Sequence, residues 1–304
     1  MFIPFQYALL NDAMWGNPRA RRQQWQLLVA RVAGGSGKGF VASLLFVLYS
    51  HYALSDENFL KIAPYRNNYL LLANYTETPD FQCFDRYNPN DKPIDSIEVE
   101  FQLSLKTLVT KITAIDGDCY LAYTQRSFWQ AYQPSAYFRD TSYQPEVFIT
   151  VLRDKQWRLW QLTGTDIGFV HQSNGLGGER ERSWNRLYIR QHLEKGRWLL
   201  EGQVAVRINA MHNYNKDIVR YLGNDVFSVS YTSGRKVFSF ACRNTVSSNF
   251  SRGAQWLSWS FPIVDDWRIN GYIQAFSGYG QTLSGYEHYT NAIGVGFQFT
   301  GFFW

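Results

Sequence analysis

His171, Ser173 and Asn185 fall within fifteen residues of one another, in the stretch HQSNGLGGERERSWNR that begins at His171. These residue types could carry acyl transfer. A serine hydroxyl attacks, an imidazole takes its proton, and a third polar group fixes the tautomer and direction of the imidazole. An asparagine in the third role orients without charge, so it stabilises an imidazolium less than an aspartate does but places no extra anion at the site. A His and a Ser two apart say little by themselves, since any polar loop can contain both. The reading depends on which way the side chains point, and therefore on the elements that carry them.

The composition favours strands. Aromatic residues make up 17% of the 304 positions and charged residues 18%, with a mean hydropathy of −0.31. High aromatic and low charge content suits many alternating strands better than helices. No apolar run approaches the ~18 residues a membrane helix needs, but the wall of a β-barrel alternates and escapes such a count. In SIEVEFQLSLK, residues Ile97, Val99, Phe101, Leu103 and Leu105 share one face, and Glu98, Glu100, Gln102, Ser104 and Lys106 share the other. Similar period-2 segments recur near 67–76, 119–130, 144–153, 163–173, 183–193, 197–209, 223–232, 235–245, 253–262, 266–277 and 291–300. With 96–107 these predict twelve strands, each about the length that crosses a bilayer when tilted. Tight turns at Lys195-Gly196, Ser233-Gly234 and Asp265-Asp266 alternate with longer polar links near 174–182, 210–222, 246–252 and 278–290. Short turns at one rim and long loops at the other are expected of a transmembrane antiparallel β-barrel, an all-β fold. A soluble β-sandwich also alternates, but does not require so many aromatics outside its core.

On such a wall the parity is decisive. In TDIGFVHQS, His171 and Ser173 share the face of Ile167 and Phe169, the lipid side. In SWNRLYIR, Asn185 shares its face with Leu187 and Ile189, while Trp184, Arg186, Tyr188 and Arg190 point inward, as Arg268 does farther along. A hairpin folded about residue 178 sets 171 opposite 185, and directly opposed side chains stand close. Polar groups facing lipid are costly unless they satisfy one another. Catalysis supplies a reason for three of them to meet there.

The N-terminal region reads differently. A basic residue, Lys38, precedes an apolar stretch from Phe40 to Tyr49, and Ala53-Leu54-Ser55 offers small residues for cleavage before Asp56. Residues 1–55 are thus expected to be an extension with a secretory signal peptide, and 56–304 the barrel domain. The net charge of +5 misleads. Arg19, Arg21, Arg22, Arg31 and Lys38 stand against Asp12 alone in that leader, leaving +1 for the rest and no basic face for nucleic acid. GGSGKG is not a phosphate loop, because Val32 holds the first glycine position and Gly39 that of the Ser/Thr. Cys83, Cys119 and Cys242 show neither metal nor disulfide spacing.

The stretches AYTQRSFWQ, FRDTSYQPE, HQSNG, RSWNRLY, DIVRYLG and SGYGQTL run from Ala122 to Leu283. With them, nearly all of the chain beyond residue 60 resembles the bacterial outer-membrane phospholipase A family. HxSNG followed at this spacing by SWNR is highly specific to it. The resemblance implies a twelve-stranded barrel in the bacterial outer membrane, with its triad on the lipid-facing exterior at the outer leaflet. It implies calcium-dependent removal of acyl chains from phospholipids and lysophospholipids by a homodimer. The nucleophile then falls on Ser173, the base on His171, the orienting residue on Asn185, and an oxyanion donor on the backbone N–H of Gly175. Calcium falls to the carbonyl of Leu176, to Glu181 and to Ser135 of the partner subunit. Glu181 stands where the family has a serine, and a carboxylate is the better calcium ligand. A second calcium site of the family has Gly178 and Asn213 near its acidic positions and is not expected here. Gln125 matches a polar residue the family buries between subunits. The alternatives are a passive porin, a structural barrel, or a member of this family impaired by Glu181.

Overall fold

The computed structural model describes residues 61–80, 94–208, 214–244, 248–249, 251–264 and 268–300. The expected leader, Cys83, Asn213 and the Asp265-Asp266 turn lie outside the described residues. The chain forms twelve antiparallel strands: β1 (Asn68–Thr76), β2 (Ile97–Ile112), β3 (Gly117–Trp129), β4 (Phe138–Val151), β5 (Trp160–Ser173), β6 (Ser183–Lys195), β7 (Trp198–Ile208), β8 (Asp225–Ser233), β9 (Lys236–Arg243), β10 (Ala254–Pro262), β11 (Ile269–Tyr279) and β12 (Tyr289–Phe299). Each pairs with its sequence neighbours, and β12 returns to pair with β1, so the sheet closes. Closure matters in lipid, because every backbone N–H and C=O then finds a partner within the sheet. Two three-residue strands, Ile62–Pro64 and Lys155–Trp157, add to the edges of β2 and β5.

The faces are inverted relative to a soluble domain. On β2, Ile97 and Leu103 are exposed outward, while Glu98, Glu100 and Ser104 are buried toward the axis. Leu121, Val147, Ile167, Leu187, Val206, Leu257 and Ile293 continue the apolar outer wall on other strands. The interior is a polar lumen of about 910 Å³. Charge pairs cross it. Glu146 accepts from Arg66 at 3.0 Å and Arg190 at 3.1 Å, and also from the Tyr65 and Tyr188 hydroxyls. Glu98 pairs with Arg139 at 2.5 Å and Glu100 with Arg126 at 2.7 Å. Tyr65 and Arg66 reach Glu146 from the segment just ahead of β1, so side chains of the chain's entry line the lumen.

The two rims differ as expected. Gly196 (φ +58°) and Gly234 (φ +59°) supply the left-handed residue of two-residue turns closed by the Lys195–Trp198 and Ser233–Lys236 pairs. Hairpin turns of this twist require such residues. The opposite rim carries the long connections, including a short helix α1 (Ile218–Leu222). Trp184, Ile218, Leu222, Leu283 and Tyr286 form an apolar cluster beneath those loops. Arg268, expected inward, does not reach the packed interior. It precedes the first residue of β11 and is exposed at the turn rim, where strand parity no longer applies. Cys119 and Cys242 are free thiols.

Candidate active site

β5 and β6 carry the site. Their ladder pairs Ile167 with Ile189, Phe169 with Leu187, His171 with Asn185 and Ser173 with Ser183. Ile167, Phe169, Leu187 and Ile189 are exposed on the outer wall. His171, Ser173 and Asn185 continue those rows, partly exposed at the loop rim. Trp184, Tyr188 and Arg190 are buried on the other face, and Arg186 lines the lumen with its guanidinium 3.8 Å from the centre of the Trp184 ring.

His171 Nδ1 lies 2.8 Å from Asn185 Oδ1. An amide oxygen only accepts, so this contact requires the Nδ1–H tautomer and leaves Nε2 with its lone pair. A base with a free Nε2 on the same outer face as a serine two residues along supplies the two groups that proton transfer from a hydroxyl uses. Among the described residues, the Ser173 hydroxyl makes no hydrogen bond. On its other flank Ser173 pairs with Tyr143 of β4, also on the outer face.

Beyond Ser173 the chain turns at Gly175, φ +72°, where a Cβ would come within 2.7 Å of the Tyr143 ring. Only glycine accommodates both the left-handed backbone and the ring. The Gly175 N–H donates to no protein acceptor among the described residues, which leaves it available to an oxyanion. Asn174 closes the neck of the loop that follows. Its backbone N–H donates to Arg182 O at 3.0 Å, and its buried carboxamide bonds to Leu176, Arg180, Arg182 and Ser284. On the β6 side, buried Asn215 grips the Ser183 backbone, accepting from its N–H at 3.3 Å and donating to its carbonyl at 3.0 Å. Tyr286 Oη donates to Asp217 at 2.5 Å and ties two more loops together. Burial, and then that carboxylate, hold the Tyr286 phenol well above its ordinary range.

The expected calcium ligands are oxygen donors on this rim. Leu176 is exposed. Glu181 is partly exposed, and its Oε1 accepts from the Ser183 hydroxyl at 2.8 Å, leaving Oε2 for a cation. Ser135 is exposed in the connection between β3 and β4. No group of three or more His, Cys, Asp or Glu side chains suited to a metal occurs among the described residues. A carbonyl, one carboxylate and a hydroxyl from a second copy still fit a hard, oxygen-seeking cation. Gly178, in the loop, offers no side-chain ligand. Gln125 stands on the outer wall beside the site, in a polar row. It accepts from Tyr123 Oη at 3.0 Å and donates to Ser127, which in turn accepts from Thr141.

Spacing alone does not reveal Tyr143 or Asn215, which come from other strands and loops. Asn174, next to the serine and ahead of a glycine, carries a turn signal that points to it.

A protein-family model described as Phospholipase A1 matches residues 49–299. Phospholipase A1 of Proteus vulgaris is 35% identical over 252 residues, covering 81% of this chain and 84% of that protein. Phospholipase A1 of Klebsiella pneumoniae is 34% identical over 255 residues, covering 82% and 85%. The solved structure of the Salmonella typhi outer membrane phospholipase dimer with bound calcium superposes with a TM-score of 0.74 at 31% identity, over 81% of this chain and 94% of that one. The outer membrane phospholipase A of Escherichia coli superposes with a TM-score of 0.73 at 31% identity, over 79% and 98%.

Proposed function

The chain belongs to the phospholipase A1 family, and on that premise we propose that a Ser173–His171–Asn185 triad on the lipid-facing wall of its outer-membrane barrel cleaves phospholipid acyl esters with the help of calcium. The chain is an enzyme that hydrolyses phospholipid esters. The observation that carries the mechanism is the 2.8 Å contact between His171 Nδ1 and Asn185 Oδ1, on the same outward face as Ser173.

Ser173 Oγ attacks the ester carbonyl while His171 Nε2 takes its proton. Asn185 holds the imidazole in the tautomer that leaves Nε2 basic. The carbonyl oxygen becomes an oxyanion, and the Gly175 N–H donates to it. Such preorganised donors commonly give the largest catalytic contribution. The C–O bond to the glycerol then breaks, and His171 returns the proton to the leaving alkoxide, releasing lysophospholipid. Water, deprotonated by the same imidazole, cleaves the acyl-enzyme to a free fatty acid.

The Leu176 carbonyl and the Glu181 carboxylate would hold calcium, with Ser135 of a second copy completing the set. When bound, calcium supplies positive charge toward the developing oxyanion. Two observations favour a dimer. The polar row from Tyr123 to Thr141 stands where lipid alone would leave it poorly solvated, and Ser135 lies on the loop above that row. The long loops of such barrels face the exterior, which supports a site at the outer leaflet, with acyl chains reaching it along Phe169 and Leu187. Purified protein in detergent should release fatty acid from phospholipid with calcium and stop on chelation. A folded barrel that releases none has only a passive role.

A further inference from the structure

We infer that Asn174, tied through Ser284 to Asp140, is the positioning residue that sets the loop carrying the oxyanion donor. The inference rests on the triad reading above.

Residues 175–180 are exposed, so no apolar packing fixes their path. Hydrogen bonds must do it: the Arg182 guanidinium holds the Glu179 and Glu181 carbonyls, and four more bonds converge on one buried side chain. Asn174 Oδ1 accepts from Leu176 N at 3.2 Å and from Arg182 N at 3.0 Å. Its Nδ2 donates to Arg180 O at 2.9 Å and to Ser284 Oγ at 3.0 Å. These are the two acceptor and two donor positions of a carboxamide, all occupied.

The orientation of that amide is dictated from a distant strand. Asp140, buried at the start of β4, accepts from Ser284 Oγ at 2.6 Å and from the backbone N–H groups of Leu283 and Ser284 at 3.0 and 3.3 Å. A carboxylate only accepts, so the single Ser284 proton goes to Asp140 and its oxygen must accept from Asn174. The NH₂ therefore faces Ser284, and the carbonyl faces the loop amides. One buried chain thus links β4, the β11–β12 loop and the loop containing Gly175 and Glu181. The Gly175 N–H, next to Asn174, acts only when negative charge develops on the substrate oxygen. A displaced loop should then lower kcat more than it raises KM.

Three variants test this, with fatty-acid release and hydrogen exchange of the loop peptide measured on full-length protein that keeps its heat-modifiable barrel. Ser284→Ala cuts the tether but leaves the loop's own bonds. It should lower kcat about 10- to 100-fold with KM nearly unchanged, because small displacements at a reacting centre cost that much, and it should speed exchange at Leu176 and Arg182. Asn174→Asp keeps the shape but sets a second acceptor against Ser284 and Arg180. It should be as impaired as Asn174→Ala, whereas a space-filling role predicts a benign Asp. Wild-type exchange and kcat in Ser284→Ala, or a benign Asn174→Asp, would overturn the proposal. A wild type that releases no fatty acid while Ser284→Ala still loosens the loop would remove the triad reading and leave the loop tether standing.

Discussion

Ser183 is the partner of Ser173 across β5 and β6, and its hydroxyl donates to Glu181 Oε1 at 2.8 Å. The residue facing the proposed nucleophile therefore holds one oxygen of a carboxylate at the rim of the site and leaves the other for a cation.

Calcium dependence should follow from that carboxylate. Glu181→Ala should raise the calcium needed for half-maximal fatty-acid release by about 10- to 100-fold, the scale of losing a supported ligand. Glu181→Ser, with a neutral hydroxyl, should fall between the two. A titration in which Glu181→Ala matches wild type would place the cation elsewhere.

Asn185→Ala should leave the barrel intact and reduce kcat about 10- to 1,000-fold, because the imidazole loses the contact that selects its tautomer. Asn185→Gln, whose longer chain displaces the carbonyl, should recover little. Steady-state kinetics on both variants check this.

At Gly175 a side chain meets two obstacles, a left-handed φ of +72° and the Tyr143 ring 2.7 Å from the Cβ position. Gly175→Ala should cost about 1–3 kcal/mol of local strain and lower kcat by displacing the N–H. Adding Tyr143→Ala removes the clash but not the backbone strain, so the double variant should recover activity only in part.

The lumen should answer to stability measurements and not to activity. Glu146→Leu takes the carboxylate from partly exposed Arg66 and leaves buried Arg190 only one carboxylate, Asp166, 3.5 Å away, a loss of at most about 3–5 kcal/mol, the scale of a buried pair broken on one side. The temperature at which the barrel's gel shift is lost should drop, while folded molecules keep their turnover.

Alternation made much of the fold legible. Charged residues alternate with Ile97 and Leu103 on β2, and that pattern identifies wall and lumen before any pairing is known. The His171–Asn185 register was equally readable, since a hairpin centred on residue 178 fixes it by arithmetic. Parity says least where a strand ends, as it does just before Ile269, where Arg268 is exposed at the rim. Asn174, Ser284 and Asp140 were hidden for another reason. Their bonds span 110 and 144 residues, and no local period records which loops of a closed barrel will meet above its rim. The polar row at Gln125 was legible only as a residue type, because its meaning depends on facing lipid.

Ser173, on the outside of the barrel, is the proposed nucleophile. Fatty-acid release from phospholipid by purified Ser173→Ala, beside wild type at equal calcium and equal heat-modifiable barrel, tests it most directly. Release should fall to the buffer background. Turnover persisting in Ser173→Ala at the wild-type rate would contradict it.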